Sequence, residues 1–127
     1  MFRSRSSPGF ERAFELPEPT IDAATFTALG ELAGAGFVTE LVATFLEEAP
    51  PMLADLRDAA ATRDAGRFRR AAHSLKSNGN TFGALRFGAM ARTLELEGLD
   101  AAGPQALDAL DAEYARAAAA LKALSDA

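Results

Sequence analysis

At 127 residues, about half of them hydrophobic, the chain is long enough for one domain with a proper core. Its net charge of −5 argues against nonspecific nucleic-acid binding. The absence of cysteine excludes disulfides, thiolate catalysis and cysteine-based metal sites, and a single histidine leaves too few nitrogen ligands for a zinc centre.

Alanine and leucine dominate while valine and isoleucine are sparse, a balance that favours helix over strand. Residues 1–19 mix serine, arginine, glutamate and three prolines with scattered Phe2, Phe10, Phe14 and Leu16, which predicts a flexible tail. No apolar run there has the form of a signal peptide and no span approaches transmembrane length, so a cytoplasmic chain without a membrane partner is expected. From Thr20, read as an N-cap, the residues Ile21, Phe26, Leu29 and Leu32 predict a short first helix ending near Gly34-Ala35-Gly36. Phe37, Leu41, Phe45, Ala49, Met52 and Leu56 recur at spacings of three and four, the signature of one face of a long second helix. Its interior contains Pro50-Pro51, which predicts a kink or break near Glu48.

Asp64 offers an N-cap for a third helix with the apolar stripe Phe68, Ala72, Leu75, Gly79 and Phe82, closed by Gly83. A fourth carries Leu85, Met90, Leu94 and Leu96 up to Gly98. Gly103-Pro104 opens a fifth, with proline in the tolerated first turn and Leu107, Leu110, Tyr114, Ala117, Leu121 and Leu124 on its apolar side. Residues 20–127 therefore predict an all-α, up-and-down four-helix bundle with an additional short N-terminal helix, most simply a monomer.

On the third helix each residue advances about 100°, which places His73 roughly opposite Leu75 and away from the core stripe. Its neighbours three and four positions away are Arg69, Arg70, Lys76 and Ser77, with Asn80 two turns along. Histidine titrates near neutral pH and so offers an uncharged ring nitrogen with a free lone pair as a nucleophile. Cations around it would offset the charge of a phosphoryl group, the kind of help phosphoryl transfer mostly needs. Ser77 leaves room beside the imidazole, whereas Gly79 on the buried side would let a neighbouring helix come close.

The string Ala72-His73-Ser74-Leu75-Lys76-Ser77-Asn78-Gly79-Asn80-Thr81-Phe82-Gly83-Ala84, followed by Leu94-Glu95 on the next helix, resembles the signature of histidine-phosphotransfer (HPt) domains. The resemblance in helix order extends from about Thr20 to Ser125. It implies that His73 takes a phosphoryl group from a receiver-domain aspartate and passes it to a second receiver aspartate. The chain itself would then be a phosphotransfer intermediate with no nucleotide site, no autokinase activity and no metal or cofactor of its own. Mg2+ would be supplied by the receiver partner. Lys76 matches the family lysine one turn after the histidine, where it would pair with phosphoryl oxygens, and Glu95 falls where the family often has a Glu or Gln reaching back to the imidazole. Ser77 stands where many members have glycine.

Plainer readings exist beside these. Arg69 and Arg70 can be ordinary solvated charges, and Glu95 can simply pair with Arg92 on its own helix. Two other functions fit the same surface: the phosphate-accepting module of a chemotaxis-type kinase, and a non-catalytic adaptor that binds receivers without taking phosphate.

Overall fold

In the computed structural model, which describes residues 20–126, every regular element is a helix. These are α1 (Ala23–Ala33), α2 (Ala35–Ala61), α3 (Ala65–Thr81), α4 (Leu85–Glu97), a 3-10 turn (Gly98–Ala101) and α5 (Pro104–Asp126). α2 packs on α3 and α5, α4 packs on the same two, and α1 lies against α2 and touches α3. The expected all-α four-helix bundle with a short leading helix is therefore what forms; the tail expected over residues 1–19 lies outside the described residues.

Local chemistry sets the ends of the elements. Asp22, not Thr20, caps α1: its carboxylate accepts from the Thr25 backbone N–H at 3.0 Å and from the Thr25 hydroxyl, and these bonds hold its carboxyl below the usual aspartate range. The Asp22 N–H in turn donates to the Gly83 carbonyl at 2.7 Å, which ties the start of α1 to the α3–α4 link. Gly83 adopts φ +84, and a Cβ there would stand 2.8 Å from the Asp22 carbonyl oxygen, so neither the turn nor the contact admits a side chain. Asp64 caps α3 as its sequence suggests, accepting from the Arg67 N–H at 3.1 Å. α1 ends at Gly34, with φ +90, where the chain bends by 118° into α2; Ala35 and Gly36 already belong to that second helix.

The core differs in detail from the apolar pattern. α2 buries Val38, Val42, Phe45, Ala49, Leu53, Leu56 and Ala59, so its inner face is rotated from the predicted stripe: Phe37 is exposed, and Leu41 and Met52 sit at the margin. α1 is the cause, since it folds back over the Val38 side and brings Gly30 to within reach of that side chain. On α4 the inward residues are Phe87, Gly88, Ala91 and Leu94, whereas Leu85 and Leu96 face solvent, as do Leu32 on α1 and Leu124 on α5. Phe82, Phe45, Tyr114 and Phe87 form a continuous aromatic series, with ring centroids 5.2, 6.0 and 6.0 Å apart in that order, linking all four bundle helices or their ends. One buried charge escaped the pattern: Glu113 is 1% exposed on α5 and is held by Arg116 at 2.8 Å, with Arg86 of α4 at 3.8 Å.

α2 runs on through Pro50-Pro51 without the expected break. Proline at 50 deprives the Leu46 carbonyl of its partner four residues on, an omission that usually interrupts a helix. Here the Tyr114 hydroxyl donates to that carbonyl from α5 at 3.3 Å. The Glu47 carbonyl freed by Pro51 belongs to an exposed residue, where water can serve it. Tyr114→Phe is therefore expected to lower stability by about 1 kcal/mol, the value of one net hydrogen bond. The midpoint of urea unfolding should fall with the slope unchanged, and an unaltered midpoint would show that the hydroxyl contributes nothing to α2.

Salt bridges fasten the remaining contacts. Arg57 of α2 reaches Asp108 and Asp111 of α5, each at 2.6 Å, and Arg67 of α3 reaches Asp55 and Asp58 of α2 at 2.6 and 2.7 Å. The paired aspartates hold both guanidinium groups firmly protonated.

Candidate functional site

Phe68, Ala72, Leu75 and Gly79 all face the core, and this fixes the rotation of α3 so that His73 points outward with 57% of its side chain exposed. The packing of α4 decides what stands beside it. A Cβ on Gly79 would lie 2.7 Å from Cδ2 of Phe87, and the Asn80 side chain occupies the space that a Cβ on Gly88 would need. The two glycines thus let the helices approach closely, and one helical turn or two further along this contact brings Glu95 to the imidazole.

Glu95 Oε2 lies 2.7 Å from His73 Nδ1, and Glu95 Oε1 lies 2.9 Å from Lys76 Nζ. The second contact is an ion pair rather than a well-aligned hydrogen bond, and it gives the otherwise unpartnered Oε1 its compensating charge. Glu95 is only 17% and Lys76 only 23% exposed, so the carboxylate is sheltered between two side chains of α3. The Lys76 ammonium, and after it the His73 ring, hold the Glu95 carboxyl below its ordinary value of 4.5 despite some desolvation. A carboxylate can only accept, so the Nδ1 proton must point at it. The neutral ring then carries its lone pair on Nε2, the nitrogen that Glu95 does not engage, on a side chain 57% exposed.

Because the folded-state value of Glu95 is depressed, the network stabilises the protein above the ordinary glutamate range and loses that contribution as pH falls through the lowered value. Wild type and Glu95→Gln should accordingly differ in thermal midpoint at neutral pH and converge as the solution is acidified. A gap that stays constant with pH would show that the Glu95 charge has no part in the contact.

His73, Glu95, Arg69 and Arg70 line one open hollow of about 430 Å³ together with Gly66 and Ser74. Lys76 flanks it through Glu95. Of the other residues singled out from the sequence, Ser77 is exposed on the outer face of α3, where its carbonyl accepts from the Thr81 hydroxyl at 2.9 Å, and it does not line the hollow. Asn80 likewise stands outside it, lodged against Gly88 in the α3–α4 contact. Glu95 makes its contacts with α3 rather than with Arg92. Among the described residues no three histidine or carboxylate side chains converge as a metal site would require. The sequence reading missed Gly66 and Ser74, whose only signal was small size beside the arginines.

No curated protein matches the chain by sequence. In three dimensions it is similar to histidine-containing phosphotransfer protein B from Pseudomonas aeruginosa PAO1, with a TM-score of 0.79 at 22% identity over 87% of this chain and 97% of that one. That likeness establishes the shared helical fold. The profile of the Hpt domain family matches residues 40–120, from the second turn of α2 well into α5, and so takes in both helices that meet at the imidazole. Since this match spans more than half of the sequence, the chain belongs to the Hpt domain family.

Proposed function

We propose that His73 Nε2 accepts a phosphoryl group from the aspartyl phosphate of a receiver domain and later returns it to the aspartate of another. Hpt domains are histidine-phosphotransfer modules that work with receiver domains of kinases and response regulators in phosphorelays. The observation that carries the assignment to His73 is the division of its ring: Nδ1 is engaged by Glu95 at 2.7 Å, while the other nitrogen is left for a visitor on a side chain 57% exposed. The Nε2 lone pair attacks phosphorus, the bond between phosphorus and the donor carboxylate oxygen breaks, and the carboxylate leaves with its electron pair. Transfer onward is the same exchange in reverse. Magnesium and an acidic pocket would come with the receiver, whereas this chain supplies an oriented nucleophile and positive charge.

Glu95 acts as a positioning residue, fixing the tautomer and swing of the imidazole, and the positive charge developing on the ring during attack falls next to its carboxylate. Lys76 balances Glu95 at rest and lies one turn from His73, within the reach that lets it meet the incoming phosphoryl oxygens. Lys76→Ala is expected to slow labelling by a phosphorylated receiver roughly tenfold, less than a buried oxyanion donor would cost because solvent screens this site. The melting temperature should fall by a few degrees with the fold retained, since Lys76 is partly buried and its loss leaves Glu95 Oε1 without its compensating charge. Equal labelling rates in variant and wild type would remove Lys76 from the reaction.

The reading as a whole is tested by mixing the protein with a panel of phosphorylated receiver domains and following acid-labile label. Label arriving from at least one receiver supports the relay assignment. Label that arrives only from an ATP-fed kinase domain favours a kinase substrate module, and binding without label favours the adaptor.

A further inference from the structure

We infer that Arg69 and Arg70 form a docking surface for an acidic protein face, and that they govern how fast a partner reaches His73 rather than how readily the imidazole reacts. This rests on the relay reading above and names the surface chemistry its partner must bring.

The charges of this chain are sorted by element. Residues 65–94 contain six cations, Arg67, Arg69, Arg70, Lys76, Arg86 and Arg92, and no acid, in a protein whose net charge is −5. α2, by contrast, carries Glu40, Glu47, Glu48, Asp55 and Asp58 against the single Arg57. Folding then neutralises three of the six, while Arg92, exposed and without an acidic partner among the described residues, stands outside the hollow. Arg67 is taken by Asp55 and Asp58, Lys76 by Glu95, and Arg86 stands 3.8 Å from Glu113. Arg69 and Arg70 are exposed and have no acidic partner among the described residues, although they line the hollow that holds His73. Gly66 contributes to this: a Cβ there would stand 3.3 Å from Nη1 of Arg70, so the missing side chain leaves the guanidinium its place over the helix.

A cationic patch at the reacting residue, on a molecule otherwise acidic, attracts an acidic surface to one face and repels it from the rest. Fields of this kind raise association rates by about 10 to 1,000-fold and fall steeply with salt. The hollow is an open space of about 430 Å³, far wider than one phosphoryl group fills, which suits the edge of a protein better than a small anion alone.

The test compares two phosphodonors on the full chain. One is the receiver domain that labels wild type fastest in the panel; the other is phosphoramidate, a small donor that needs no docking. For Arg69→Glu/Arg70→Glu, labelling by the receiver should fall by about 10 to 100-fold at low ionic strength, and the deficit should shrink to within about threefold at high ionic strength. Labelling by phosphoramidate should stay within about twofold of wild type, which also shows that the variant is folded around His73. Lys122→Glu on α5, outside the hollow, should leave both rates unchanged. Receiver labelling that ignores the arginine reversals overturns the inference. So does a parallel loss with phosphoramidate, which would place the arginines on the phosphoryl group instead. A wild type that takes label from phosphoramidate but from no receiver overturns the relay reading and this inference together, a pattern distinct from either of those.

Discussion

Replacing His73 with glutamine is expected to reduce acid-labile label to background while leaving the fold intact. Glutamine keeps an amide N–H that can still donate to Glu95, but an amide nitrogen has no available lone pair and cannot attack phosphorus. The side chain is 57% exposed and fills no part of the core, so the thermal midpoint should move by no more than about 2 °C. A phosphorylated receiver, incubated with wild type and variant in parallel and resolved on a gel before and after acid treatment, gives the comparison. Acid-labile label on the variant at the wild-type level would place the phosphoryl group on another residue.

The largest loss of stability is expected from Gly79→Leu. Even a Cβ at this position would stand 2.7 Å from the Phe87 ring, and Phe87 is itself fully buried, so it has nowhere to retreat. A leucine must therefore push α3 and α4 apart, at a cost of about 3 kcal/mol or more, only partly offset by its better helix propensity of about 1 kcal/mol. The midpoint of thermal unfolding should fall by roughly 10 °C. Function should suffer separately, because separating the helices withdraws Glu95 from Nδ1: labelling at a temperature where the variant is still folded should be slower than wild type. An unchanged melting curve would mean that the face carrying Gly79 is not the one against α4.

The sequence is most legible where a feature depends on near neighbours. The stripe Phe68, Ala72, Leu75, Gly79 and Phe82 is buried throughout, and with Asp64 it defines the third helix and turns His73 outward. That single helix determines the most important part of the site, since the direction of His73 follows from spacing alone. Residues whose environment comes from another element were harder to read. The inner face of α2 rotated because α1 doubles back on it, and the inner face of α4 was obscured because Gly88 and Ala91, two of its four buried residues, are too small to mark an apolar stripe. Asn80 looked like a ligand-facing residue because it follows His73 by two turns, but the glycine opposite draws it into the helix contact. Glu113 gave no sign of burial, because the arginines that compensate it lie three residues on and on a different helix.

The tyrosine hydroxyl that completes α2 at Leu46 makes one helix incomplete until another has arrived. The amino-terminal half of α2 and its carboxyl-terminal half meet at two prolines, and the bond that spans the first of them is supplied by a residue 68 positions later in the chain. Such a dependence couples the two ends of the molecule during folding: a nascent chain that has emerged only as far as α4 carries a weak joint in its longest helix. Hydrogen exchange at the amides around that joint should consequently report the docking of α5, slowing only once the last helix is in place.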